Sequence, residues 1–362
     1  MTAPAQGEAP RTRASRAVLH VAPIPNDRRQ NPYLDLFYRA LAPFGVQADR
    51  PAVYSARGLL AARGPVDVLH FHWPEASWGG GRWSRVAGVA RFVSLLAVAK
   101  ARGVRVVWTA HNVEPHESPA FAARVGLRAL GAASDLVICH SEAARAEVHR
   151  RYRPRAETVV MPHGNYAGWY PAPAPRPDVV RAYGLDPERP VVVCAGMIRG
   201  YKGFDLAVDA VRELDGVQLV VAGLPFCNGD LLDLERRASE IPGVRIVGRS
   251  LSDQEYADLV GASDLVLLPY RKITGSGSLL SAWTLGRAVV ASDLPYFREM
   301  IPAGTGAGWR FAIGDPASLA GAVREALRVP AAQRREAALA EAGRYAWATC
   351  VAPVGDVLRR WA

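Results

Sequence analysis

Cysteine is scarce: Cys139, Cys194, Cys227 and Cys350 are the only four in 362 residues, and no two form a CxxC pair. That spacing excludes a disulfide framework and a cysteine-based zinc site. No apolar run approaches the ~18 residues that a membrane-spanning helix needs, so no span is predicted. The opening stretch, MTAPAQGEAPRTRASR, lacks the apolar core of a signal peptide; residues 1–16 are expected to be a disordered tail, and the chain to be cytoplasmic. Neither half has a GxGxxG after its first apolar segment, which argues against a dinucleotide oxidoreductase. No DNA- or RNA-binding motif accompanies the basic charge, so nucleic acid is not an expected partner.

What is present divides in two. A chain of 362 residues exceeds the ~250 to 300 at which a single core stops growing, so two domains are expected. The net charge of +10 comes wholly from the first half: Lys and Arg outnumber Asp and Glu by 22 to 12 over residues 1–170, against 22 to 22 over 171–362. Part of the excess (Arg82, Arg85, Arg91, Lys100, Arg102 and Arg105) flanks the apolar segment Val86–Ala99. Such a segment suits either an anionic membrane surface or a core helix with a solvated rim.

From Ala17 short apolar segments alternate with helical stretches: AVLHVAP, DVLHFHW, VRVVWTAHN, DLVICHS and TVVMPHG. Most end in His, Asn, Pro or a small polar residue. In a parallel sheet the carboxyl ends of the strands face the ligand crevice, so polar groups gathered there point to a site. Prolines between Tyr170 and Asp178 interrupt the pattern and predict a hinge at 171–178. The rhythm then restarts with VVVCAG, VQLVVAG, VRIVG, DLVLLPY and AVVASD. Two Rossmann-like α/β domains follow, at 17–170 and 179–340, with a last helix at 341–362 crossing back to the first.

The segment Leu267–Asp293 is the most informative. It reads as a buried strand, a turn from Thr274 to Ser278, a helix from Leu279 to Leu285 and a second buried strand. Positive φ at Gly275 and Gly277 would shape the turn. Free N–H groups at the helix start, with the hydroxyls of Thr274, Ser276 and Ser278, would form an anion site; a plain helix cap is the other explanation.

These landmarks, in this order, resemble GT-B-fold glycosyltransferases, especially glycosyltransferase family 4: TAHN at Thr109, VVMPHGNY at Val159, AGMIRGYKGFD at Ala195, VGRSLSDQEYADLVGASDLVLLPY at Val247 and GWRFAIGDPASLAGAV at Gly308. The last is similar to the family's late helix. The resemblance implies two Rossmann-like domains with parallel sheets facing across a cleft, the first binding an acceptor and the second a nucleotide sugar. It implies a metal-independent hexosyltransferase moving a sugar, mannose or glucose among the options, from a GDP or UDP donor to a hydroxyl acceptor, with no cofactor besides that co-substrate. A diphosphate leaving group held without metal needs fixed cations and dipoles, and Arg199 and Lys202 with the backbone of Gly275, Ser276, Gly277 and Ser278 are expected to provide them. Arg249 and Leu251 would flank the base and Glu299 the ribose. His111 matches the family's strand-ending histidine that contacts the donor. Catalytic candidates are His111, Glu114 and Glu117. Asn31, Tyr33, Trp73, Glu75 and His116 would line the acceptor side, with Trp78 beside them.

Two glutamates usual in the family, eight positions apart, fall on Ile273 and Ser281 here, and Met197 replaces a usual arginine. Their loss leaves the stereochemistry open. Inversion requires a general base, whereas retention lets the leaving phosphate take the acceptor's proton. A sugar nucleotide epimerase of the same fold and a non-catalytic sugar nucleotide-binding protein are the alternatives. The basic first half favours a lipid-linked acceptor at the inner face of a membrane, against a small soluble one.

Overall fold

The computed structural model describes residues 18–26, 32–78, 82–113 and 121–362. The expected tail, Asn31, Glu114, His116 and Glu117 lie outside the described residues. The apolar segments build two parallel six-stranded sheets. In the first, β1 (Leu19–Ile24), β2 (Val46–Gln47), β3 (Val68–Phe71), β4 (Arg105–Thr109), β5 (Leu136–Cys139) and β6 (Glu157–Val160) lie in the order β2-β1-β3-β4-β5-β6. In the second, β7 (Val191–Ala195), β8 (Gln218–Ala222), β9 (Val244–Val247), β10 (Leu265–Leu268), β11 (Val289–Ser292) and β12 (Gly308–Phe311) lie in the order β12-β11-β10-β7-β8-β9.

Every residue of β3, β5, β7, β8, β10 and β11 is buried, as valine-rich strands covered by helices on both faces must be. Strand order dictates where a ligand can sit, because the crevice opens where the winding direction reverses. In the second sheet that point lies between β7 and β10, with Val192 opposite Leu265. The loops leaving these two strands carry Arg199, Lys202 and the Thr274–Ser278 turn. In the first sheet it lies between β1 and β3, and the carboxyl ends of β3 to β6 continue the same edge.

The helix Trp347–Arg359 packs Cys350, Val351, Val354 and Val357 against Leu34, Phe37, Tyr38 and Leu41 of the helix Tyr33–Leu41. Trp347 Nε1–H donates to Asn165 O at 2.6 Å, so the chain's last helix rests on the first sheet. The helix Arg176–Ala182 begins inside the expected hinge, whose last residues are therefore helical. In the GWRFAIGDPASLAGAV segment, Gly308–Phe311 is the edge strand β12 and the helix starts only at Pro316.

Candidate active site

On the second sheet's side, the loop after β7 turns through a 3-10 segment, Gly200–Lys202, before the helix Phe204–Val211. A Cβ placed on Gly196 would lie 3.0 Å from Lys202 Nζ and 3.8 Å from Ser278 Oγ, so ammonium and hydroxyl converge over that glycine. Burial, and next the charge of Arg199, bring the lysine's pKa down to about 8. Among the described residues neither cation has an ion-pair partner; Arg199 donates to Met197 Sδ at 3.0 Å and lies 4.4 Å over the Phe226 ring. A lysine held by burial beside an arginine, neither paired with a carboxylate, is poised for an anion.

The turn after β10 leads into the helix Gly277–Thr284, capped by Ser276 Oγ accepting from Leu279 N–H at 3.2 Å. The expected positive φ is absent at both Gly275 and Gly277. The reason for glycine is close approach across the cleft. A Cβ on Gly275 would stand 3.3 Å from His140 Cδ2, and one on Gly277 would stand 2.5 Å from the Tyr166 hydroxyl. Thr274 Oγ1 donates to His111 O at 2.7 Å, joining the turn directly to the first sheet.

Opposite stands a wall of imidazoles, one or two from the end of each of four neighbouring strands: His70 and His72 from β3, His111 from β4, His140 from β5 and His163 from β6. His70, His72, His140 and His163 are buried, and His111 partly so. Burial holds all five neutral, with pKa values lowered to about 3 for His70 and His163, about 4 for His140, and well below the usual range for His72 and His111. The rings touch: His72 Nδ1 is 3.3 Å from His111 Nε2, and His111 Nδ1 is 3.2 Å from His140 Nε2. Tyr38 OH bridges His70 Nδ1 at 2.8 Å and His72 Nε2 at 2.9 Å. Among the described residues, no group of three or more His, Cys, Asp or Glu side chains is arranged to hold a metal.

Between the two sides lies a cavity of about 340 Å³. It brings together Tyr33, Trp73, His111, Arg199, Lys202, Gly275 and Gly277 from the expected set. Trp73 stacks on His111 with ring centroids 4.5 Å apart and planes at 11°. Sequence reasoning missed His140, His163 and Tyr166, which also line it. The available signal was the repeated histidine at strand ends. No carboxylate is among the described lining residues.

Other expected residues are placed elsewhere. Glu299 accepts from the backbone N–H groups of Glu142 at 2.8 Å and Ala143 at 3.2 Å, capping a helix of the first half. The carboxylate, expected at a ribose, holds a helix start in this arrangement and does not line the cavity. Arg249, expected beside the base, pairs with Glu255 of the Ser252 capping box at 2.6 Å and does not line the cavity. Leu251 is half-buried and outside the cavity lining. Glu75 sits in the 3-10 turn Pro74–Ser77, with burial raising its pKa, and does not line the cavity. Trp78 is a core residue packed on Phe92 at 4.8 Å. At the positions of the family's two glutamates, Ile273 lines the cavity and Ser281 hydrogen-bonds Tyr256 OH at 2.7 Å.

Comparison with known proteins agrees with this architecture. Residues 17–165 match the model for Glycosyltransferase Family 4, and residues 189–328 the model for Glycosyl transferases group 1. The chain is 31% identical over 342 residues to a GDP-mannose:glycolipid 4-beta-D-mannosyltransferase of Xanthomonas campestris pv. campestris, covering 90% of each chain. It is 30% identical over 279 residues to a GDP-mannose-dependent alpha-(1-6)-phosphatidylinositol monomannoside mannosyltransferase of Mycolicibacterium smegmatis, covering 72% of this chain and 70% of that one. Among solved structures, sucrose-phosphate synthase from Thermosynechococcus elongatus superposes with a TM-score of 0.73 at 16% identity, over 94% of this chain and 98% of that one. With two doubly wound sheets, a shared cleft and relatives along nearly its whole length, this chain belongs to the GT-B-fold glycosyltransferases and is a nucleotide-sugar-dependent hexosyltransferase.

Proposed function

We propose that the protein transfers mannose from GDP-mannose to a hydroxyl of a glycolipid, with inversion at the sugar's C1. The observation that carries the donor side is Lys202 converging with Ser278, at the start of the helix Gly277–Thr284, with Arg199 lining the same cavity and neither cation paired with a carboxylate among the described residues. Two fixed positive charges and a helix dipole suit a nucleoside diphosphate leaving group without a divalent cation. Mannose and guanine are supported by the relative matched over 90% of its length, a GDP-mannose enzyme. The same relative makes a β linkage. GDP-mannose carries its diphosphate in the α position, so a β product requires inversion.

Calorimetric titration tests the donor: GDP should bind more tightly than UDP or ADP, with or without a chelator. Preference for another base would overturn the guanine assignment, and loss of binding with EDTA the metal-free one. The anomeric configuration of the product, read by NMR coupling, tests inversion.

The lipid acceptor is supported by the adjacent helices Arg82–Ala101 and Phe121–Ala133, neither of which contains an acidic residue. Val86, Val93, Val125 and, at 83% exposure, Phe121 face solvent there, beside exposed Arg91, Lys100, Arg124 and Arg128. Apolar side chains ringed by cations fit an anionic lipid surface. No helix among the described residues is long and apolar enough to cross a membrane. The protein should float with phosphatidylglycerol vesicles at low salt and stay behind with phosphatidylcholine. Equal behaviour with both would remove the anionic surface.

A further inference from the structure

Hydrogen-bond direction in the histidine wall is fixed by its last member. His140 Nδ1 lies 2.9 Å from Met161 O, a carbonyl that only accepts, so His140 carries its proton on Nδ1. A neutral His140 then has a lone pair on Nε2, and His111, 3.2 Å away, must donate to it from Nδ1. His111 Nε2 is therefore an acceptor, and His72 donates to it from Nδ1 at 3.3 Å. The same logic makes Tyr38 OH the donor to His72 Nε2, and His70 Nδ1–H the donor to Tyr38. Thr109 Oγ1 closes the head of the chain by donating to His70 Nε2 at 2.8 Å. All the bonds point one way, toward the Met161 carbonyl.

This polarity decides what His111 can meet in the cavity. A phosphate oxygen accepts hydrogen bonds, and so does a neutral His111 at Nε2, so the two do not pair. A hydroxyl can donate there, by displacing His72 from the long 3.3 Å contact. Of the five rings His111 alone is not fully buried, and Trp73 stacked on it presents an apolar face beside the nitrogen.

We propose that His111 is the proton acceptor for the acceptor hydroxyl, acting through Nε2, and that His140 with the Met161 carbonyl is the positioning pair behind it. The inference rests on the inverting transfer proposed above. As the hydroxyl oxygen bonds to C1, the C1–O bond to the diphosphate breaks and its electron pair leaves with the nucleotide. The hydroxyl proton moves to His111 Nε2, giving an imidazolium whose Nδ1–H still donates to His140 Nε2 while His140 Nδ1–H donates to Met161 O. The added proton leaves from His111 Nε2, on the cavity side, to water that enters as the products depart, and the starting tautomers are restored. Tyr38 and His72 are further positioning residues: Tyr38 OH fixes the His72 tautomer, and His72 Nδ1–H holds His111 Nε2 until the hydroxyl takes its place.

The first test needs no variant folding. Nitrogen-15 NMR of the full chain, labelled at histidine, should show His111 and His140 as Nδ1–H tautomers; an Nε2–H tautomer at His111 would overturn the assignment. In kinetics, His111→Gln should lower kcat by about 100-fold or more, the usual scale of a lost general base, with the dissociation constant of GDP unchanged. His140→Ala should lower kcat without raising the donor KM, and His140→Gln, which keeps an accepting oxygen, should recover part of it. An unchanged kcat in His111→Gln, or loss of turnover confined to Glu114→Gln or Glu117→Gln, would refute the proposal. Failure of wild-type protein to bind GDP would instead refute the donor reading and leave the tautomers to be judged by NMR.

Discussion

The two halves share one architecture and divide the chemistry of the cleft between them. Each is a doubly wound parallel sheet of six strands whose carboxyl ends face the same cavity. All eight histidines of the chain lie at or before His163, and the second half has none. The first half meets the cleft with neutral imidazoles and aromatic rings, and the second with cations and a helix start. The difference is that between handling a proton and holding an anion. A proton acceptor must be neutral beforehand, which burial ensures for imidazole; a phosphate holder must stay charged, which arginine does in any surroundings.

The comparison breaks most visibly in acid. A histidine lowered to about 3 or 4 in the folded state titrates near 6.5 when unfolded, so below that pH the unfolded chain binds protons that the folded one refuses. Stability is unaffected above the unfolded value and falls as pH drops beneath it. His70, His140 and His163 together should remove roughly 4 kcal/mol per pH unit between about pH 6 and 4, with His72 and His111 adding to that. Urea unfolding followed by circular dichroism at pH 7.5, 6 and 5 measures it, and hydrogen exchange at pH 5 should show β3 to β6 losing protection before β7 to β11. Simultaneous loss in both sheets would erase the contrast.

On the other side of the cleft, Lys202→Ala should weaken GDP binding by about 2 kcal/mol, the scale of a charge-assisted hydrogen bond in a desolvated site. Titration of GDP into wild type and variant measures it directly. Because its ammonium is held down to about 8 by burial, wild-type affinity should also decline between pH 7 and 9. An alanine variant with unchanged affinity would mean that Arg199 and the helix start hold the anion alone.

Much of this was legible in the sequence because the fully buried strands declare themselves: VVVCA and LVLL have no other place to go in an α/β chain. Short edge strands do not. β2 is two residues long, and β12 was absorbed into an expected helix because Gly308–Phe311 alternates only weakly. Arg199 and Lys202 were expected because their loop, between a buried strand and a helix, resembles the family's glycine and lysine loop, and both line the cavity. The imidazole wall was not, although each histidine was visible at the end of its segment. Whether His72 meets His111 depends on β3 lying beside β4, a property of sheet order that no single segment encodes. Gly275 and Gly277 were recognised for the wrong reason, since a glycine needed for contact across a cleft reads the same as one needed for a turn.

Glu299 offers the smallest effect and the sharpest use of the comparison, because its carboxylate comes from the second half and its partners from the first. Together with Ser141 Oγ, which accepts from Ala144 N–H at 3.0 Å, it satisfies three consecutive free N–H groups at the start of the helix Glu142–Tyr152. A negative charge at that end is also favoured by the helix dipole. Glu299→Ala should therefore cost about 1 kcal/mol. If the carboxylate serves only as this tie, the loss appears as faster exchange of the Glu142 and Ala143 amides, with GDP affinity unchanged. If it holds a ribose in the bound state, affinity falls while those amides stay protected. Exchange and calorimetry on the same variant tell the two apart, since one reports on the first half and the other on a ligand carried by the second.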